Sequence, residues 1–162
     1  MIGTTTSAVT GRSASRGRID KRQAILDAAF TVFAARGYAQ ACVQEIAEVA
    51  GVAKHTVYNH LSDKENLFRH AMTAAADGVL AEHLAVVELL TGRGGDVRAT
   101  LEDVGHRLLL CHCGERSWAL RRLLYAELAR FPDLLDIAQG GGTNRVRDAL
   151  ADRLARLSLA GG

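Results

Sequence analysis

The sequence predicts an all-α protein, a three-helix helix-turn-helix unit followed by a second helical domain. Three observations predict it. Ala, Leu and Arg abound, while β-branched and alternating runs are absent, a composition that favours helix. Beyond residue 20, apolar residues recur at three- and four-residue spacing, the period of a half-buried helix. The stretch 43–67, VQEIAEVAGVAKHTVYNHLSDKENL, sets two short apolar-patterned segments around a Gly and follows them with a capped third. That is the sequence form of a helix-turn-helix, which can place one helix in the major groove of a duplex.

Residues 1–17, MIGTTTSAVTGRSASRG, are rich in Thr, Ser and Gly and carry no apolar period, so a disordered tail is expected there. Arg12, Arg16, Arg18, Lys21 and Arg22 lie at its end. They could reach phosphates or a minor groove, or simply solvate the tail. A first helix is expected over 20–36, with Ile25, Ala29, Val32 and Phe33 as its buried stripe and Gly37 as its C-terminal cap residue. A second is expected over 43–50, with Ile46, Ala47 and Ala50 inward, the two alanines letting the next helix cross closely. Gly51 supplies the turn and Val52 plugs the corner. A third runs over 54–61 with Val57 and Leu61 inward. Ser62-Asp63-Lys64-Glu65 reads as a capping box, Ser62 bonding forward and Glu65 back. A fourth helix should therefore start at Asp63 and bury Leu67, Phe68, Ala71 and Ala75.

The rear half is helical but less distinctive. Leu80, Leu84, Val87 and Leu90 or Val86 continue the period, and Gly78 could mark a kink or a break. Residues 92–95 read as a loop. Asp96 is placed to cap a helix through Leu101, Val104, Leu108 and Cys111, broken at Gly114. Ser117 is expected to cap the next, with Leu120, Leu124 and Leu128 on one face and Trp118, Arg122 and Tyr125 on another. Phe131-Pro132 stops it. Gly140-Gly141-Gly142 reads as a flexible connection. A final helix is expected over 144–159, with Val146, Leu150, Leu154 and Leu157 inward. The composition shifts near residue 70, which suggests a tail over 1–17, a first domain over 18–68 and a second over 69–162.

Charge supports a nucleic-acid module at the front. Residues 1–70 hold nine Lys/Arg against six Asp/Glu, residues 71–162 eleven against twelve, and all three lysines fall in the first part. A basic front and a near-neutral rear fit a DNA-binding unit joined to something else. Three scattered cysteines make no disulfide framework. No apolar run suits a bilayer span and the N-terminus lacks a signal-peptide core, so a cytoplasmic protein is expected. No Ser-His-Asp order, paired acids or phosphate loop suggests an enzyme, and no cofactor is expected.

Specific residues carry a family resemblance. Ile25-Leu26-Asp27-Ala28-Ala29 with Phe33, Arg36-Gly37-Tyr38, Ile46-Ala47, Ala50-Gly51-Val52, Tyr58 with His60, and Lys64-Glu65 with Leu67-Phe68 occur at matching spacing over nearly fifty residues. Residues 20–68 thus resemble the DNA-binding domain of the tetracycline-repressor (TetR/AcrR) family. Arg122-Leu123, Ala126-Glu127 and Arg130-Phe131-Pro132 are similar to a helix in many of its regulatory domains. The resemblance implies that residues 54–60 form the recognition helix. Lys54, His55 and Thr56 would lie in the turn nearest the bases. Tyr58 and His60 match positions that contact phosphates, with packing between helices as the alternative for each. Asn59 could read adenine or touch phosphate. Lys64 would pair with a phosphate, and Gln44 would face the duplex edge. Ala41, Cys42 and Ala53 stand where relatives carry capping hydroxyls, so helices two and three should each lack a cap worth about 1 kcal/mol. Relatives continue for one or two helices beyond Leu159, which bears on dimerisation.

In the rear half the resemblance implies a pocket for a small hydrophobic effector, for which His83, His106, Trp118 and Tyr125 are candidates. His106, Cys111, His112 and Cys113 invite a metal reading, but Cys111 and Cys113 diverge by about 200° on a helix, and buried cysteine is more often a core residue. The expected function is a homodimeric repressor released from a palindromic operator by its effector. Two alternatives are a shortened or heterodimerising interaction protein without operator affinity of its own, and a metal- or thiol-dependent sensor or enzyme working through Cys111, His112 and Cys113.

Overall fold

The structure, a computed structural model, describes residues 10–91 and 96–160. Regular structure among them is helical throughout: α1 (Thr10–Gln40), α2 (Val43–Ala50), α3 (Lys54–Leu61), α4 (Lys64–Val87), α5 (Val97–Cys113), α6 (Glu115–Glu127), a 3-10 turn (Pro132–Leu134), α7 (Leu135–Ala138) and α8 (Gly141–Ala160). The chain divides into two compact units, Met1–Ala71 and Met72–Gly162. No helix among the described residues is long and apolar enough to cross a membrane.

The first unit is built on α1. Ile25, Ala29, Val32 and Phe33 recur at helical spacing and all four are buried. α1 begins at Thr10, so residues 10–17 of the expected tail are helical instead. No proline interrupts 10–24, and extending a helix that is already packed costs far less than nucleating one. Residues 1–9 of that tail lie outside the described residues, as do the side chains of Arg12, Arg16 and Arg18. Near its other end α1 kinks at Gly37, where φ is 73°. The kink turns Tyr38 inward, and its ring lies 5.9 Å from Phe33 and 5.1 Å from Phe68, with Phe33 and Phe68 edge-to-face at 5.0 Å. This aromatic cluster is the centre of the unit, and edge contacts of this kind add to its area burial.

α2 ends as its sequence predicts. Gly51 takes the left-handed conformation, φ 66° and ψ 33°, and the amides of Gly51 and Val52 bond back to the carbonyls of Glu48 and Ala47. A side chain at this position would be strained. α2 and α3 have no side-chain cap at Cys42 or Ala53. The cap of α4 corrects the sequence reading by one residue. Ser62 closes α3 with φ 56°, which removes it from the capping position. Asp63 takes over: its carboxylate accepts from the Asn66 amide at 2.8 Å and from the Asn66 side-chain nitrogen at 3.2 Å. α4 starts at Lys64 and runs without a break through Gly78.

In the second unit Asp96 caps α5, its carboxylate accepting from the amides of Arg98 and Ala99. Of the expected α5 stripe only Val104 is buried; Leu108 and Cys111 are half-buried and Leu101 is exposed. α6 begins at Glu115 with Gly114 as its cap residue. Ser117 therefore lies inside the helix, where its buried hydroxyl donates to the Cys111 carbonyl at 2.8 Å. Leu120, Leu123, Leu124, Phe131 and Leu134 are buried. α8 begins at Gly141, three residues before the expected start, so Gly141 and Gly142 are helical and the turn is made by Gln139 and Gly140. Leu154, expected inward, is exposed. An ion pair of 2.6 Å ties Arg153 of α8 to Glu88. The loop expected at 92–95 lies outside the described residues.

Candidate functional site

α3 separates its two kinds of side chain cleanly. Val57 and Leu61 are 2% and 3% exposed, and burying two such side chains stabilises the unit by roughly 1.5–3 kcal/mol each. This fixes the helix rotation. Lys54, His55, Tyr58 and Asn59 are exposed, while Thr56 and His60 are half-buried. The helix, KHTVYNHL, carries no acidic residue. Among the described residues, no hydrogen bond or ion pair engages the side chains of Lys54, His55, Tyr58, Asn59 or His60. The helix thus presents an outward row of donors, aromatic edge and amide of the kind that meets phosphates and base edges.

The flanking candidates are more constrained. Gln44 is exposed on α2, but its amide nitrogen donates to the Glu48 carboxylate at 3.0 Å. Lys64 is half-buried. Its ammonium donates to the Ala39 carbonyl at 3.2 Å and lies 4.7 Å from the centre of the Tyr38 ring. It therefore ties the start of α4 to the end of α1 and keeps two N–H donors for other partners. That packing role was not legible from spacing, because Tyr38 reaches Lys64 only through the kink at Gly37. Nearby acids are engaged: Glu45 pairs with Arg36 at 3.2 Å, and Glu48 with Gln44.

The second unit holds a cavity of about 590 Å³, a volume that suits a small organic molecule. α4 contributes Leu80 and His83, α5 Leu108 and His112, α6 Leu120, Arg121 and Tyr125, α7 Ile137, and α8 Val146. Of the four candidates, His83 and Tyr125 line it. His106 and Trp118 do not: His106 is exposed on another face of α5, and Trp118 is 61% exposed, its ring 5.2 Å from the Arg121 guanidinium. Sequence reasoning missed Arg121, and placed His112 only in a metal cluster. The signal for Arg121 is its position beside Leu120 and Leu124 on α6; for His112 it is its place in the last turn of α5, before Gly114.

Polar groups in the cavity are mostly turned to the protein. His83 Nδ1 donates to the Val79 carbonyl at 2.7 Å, the Tyr125 hydroxyl to the Ala138 carbonyl at 3.0 Å, and Arg121 to the His112 carbonyl at 2.8 Å. The rings of His83 and His112 stand edge-to-face, 6.3 Å apart. Partial burial, then the Arg121 charge and the His83 ring, lower the pKa of His112 below the ordinary histidine value. The metal reading of Cys111, His112 and Cys113 gains nothing here. Among the described residues no three His, Cys, Asp or Glu side chains converge as a metal site, and Cys113 is exposed while Cys111 is half-buried.

Comparison with known proteins places both units. The family profile described as bacterial regulatory proteins, tetR family, matches residues 25–71. That of the AefR-like transcriptional repressor C-terminal domain matches residues 99–162. A protein described as a TetR-family transcriptional regulator from Mesorhizobium loti MAFF303099, known from its crystal structure, superposes with a TM-score of 0.79 at 30% identity. The match covers 89% of this chain and 71% of that one. The HTH-type transcriptional repressor KstR2 of Rhodococcus jostii is 33% identical over 53% of this chain and 40% of its own. The HTH-type transcriptional activator FasR of Mycolicibacterium smegmatis is 33% identical over 52% of this chain and 39% of its own. The matched part thus spans less than half the length of these last two regulators.

Proposed function

The chain belongs to the TetR family of bacterial regulatory proteins, and from that membership we propose that it is a DNA-binding transcriptional repressor. The observation that carries the reading is the rotation of α3: Val57 and Leu61 are locked inward, leaving Lys54, His55, Tyr58 and Asn59 facing out. Lys54 and Thr56, in the first turn, read base edges. Tyr58, His60 and Lys64 hold phosphates, and Asn59 and Gln44 lie at the margin of the contact.

The protein acts as a homodimer on a palindromic operator, since one such helix gives weak affinity and two give a half-site spacing. Exposed apolar side chains in the second unit, Leu109, Leu110, Leu154 and Leu159, support self-association. The cavity of about 590 Å³ receives a small apolar effector. Binding there favours a dimer arrangement whose recognition helices no longer match one helical turn of DNA. KstR2 is named a repressor, and the profile matched by the second unit is that of a repressor domain.

The test is a duplex-shift assay with the promoter region beside the coding sequence, run across a salt series. The reading expects a discrete complex whose affinity falls steeply with salt, at least tenfold tighter than for unrelated duplex. Equal affinity for both duplexes at every salt concentration would overturn it.

A further inference from the structure

The cavity in the second unit has an unbalanced charge. No Asp or Glu among the described residues lines it, and Arg121 does. Among the described residues Arg121 has no carboxylate partner; it holds one carbonyl, that of His112, and lies against the face of Trp118. Both contacts fix the guanidinium while leaving most of its five N–H donors unspent. Two of the other polar groups are already engaged: His83 Nδ1 donates to the Val79 carbonyl and the Tyr125 hydroxyl to the Ala138 carbonyl. Gln139 and Thr143, which also line the cavity, are uncharged. The remaining wall is largely leucine, valine, isoleucine and alanine.

We propose that this cavity takes an amphipathic monoanion, an apolar body ending in one carboxylate, with Arg121 receiving the head. The inference deepens the reading of the second unit as the effector-binding unit and rests on it. A carboxylate fits the guanidinium fork with two parallel hydrogen bonds. A neutral ligand of the same shape covers the half-buried cation without pairing it, which forfeits its solvation. A cationic ligand meets like charge. His112 supports the order: burial, then Arg121 and His83, lower its pKa, so in the free cavity it adds less positive charge than an ordinary histidine and Arg121 is the fixed cation.

The test titrates the full chain with decanoate, 1-decanol and decylammonium at pH 7.5, below micelle formation. Calorimetry and the fluorescence of Trp118, the single tryptophan, are the readouts. Decanoate is expected to bind about tenfold more tightly than decanol, in line with a charge-assisted hydrogen bond, and decylammonium most weakly. Arg121→Gln is expected to bring decanoate down to the level of decanol. Decanol binding as tightly as decanoate would overturn the charge assignment and leave the effector cavity standing. Binding of none of the three would overturn both. Preference for decanoate that survives Arg121→Gln, in a variant with unchanged circular dichroism and melting, would also overturn the role of Arg121. Should that variant fail to fold, the decanoate-to-decanol ratio on the native chain decides alone.

Discussion

The two units of this chain use apolar residues to opposite ends. In the first, Phe33, Tyr38 and Phe68 meet ring to ring, and Ile25, Ala29 and Ile46 are fully buried. The result is a packed cradle that fixes the rotation of α3. In the second, α5 buries Val104 but exposes Leu101, Leu109 and Leu110, and the interior keeps a cavity of about 590 Å³. A dense unit displays a fixed face, whereas an incompletely filled one can take up a ligand.

The largest contrast should appear in stability. Phe68→Ala removes a fully buried ring from the aromatic cluster and is expected to cost about 3–5 kcal/mol in chemical denaturation. Leu108→Ala, at a half-buried position on the cavity wall, should cost less than about 2 kcal/mol. Equal losses would mean that the two units are packed alike. The next effect concerns DNA. Lys64→Ala should weaken binding to every duplex and flatten the salt slope by about one. It also removes the bond to Ala39 and the contact with Tyr38, so Lys64→Met, which keeps the aliphatic packing, separates the phosphate role from the structural one. Salt slopes identical to the native protein in both variants would count against a phosphate contact.

Capping comes third. Asp63→Ala should lower stability by about 1 kcal/mol, because the Asn66 amide loses its acceptor. Ser62→Ala should cost much less, since Ser62 is not the capping residue. Ala53→Ser should raise stability by up to about 1 kcal/mol by capping α3. The smallest effect is on ligand binding with pH. His112 has its pKa lowered by partial burial, Arg121 and His83, and no acid lines the cavity. A bound carboxylate would raise that pKa, so binding takes up protons and decanoate affinity should increase as pH falls from 8 toward 6. His112→Gln should remove that dependence. An affinity that rises with pH instead would contradict the sign.

How much was legible follows the same division. In the first unit the period of Ile25, Ala29 and Phe33, the glycine at 51 and the pair Val57 and Leu61 were readable, because each depends on local spacing. The cap of α4 falls one residue beyond the position that spacing indicates, because Ser62 closes α3. In the second unit spacing found the helices but not their faces. Trp118 and His106 share helices with cavity residues yet point elsewhere, and the cavity gathers side chains from α4 to α8, far apart in sequence. Helix propensity alone makes the glycines at 141 and 142 a linker, whereas α8 begins on them.

The central claim is that the outward face of α3 reads a duplex. Selection of preferred duplexes from a random pool, by the native protein and by a Lys54→Ala/Thr56→Ala double variant of matching melting temperature, tests it most directly. The native protein is expected to select a two-fold symmetric sequence, and the variant to lose preference at particular base positions in both half-sites. The same preferred sequence at the same affinity in both proteins would contradict it.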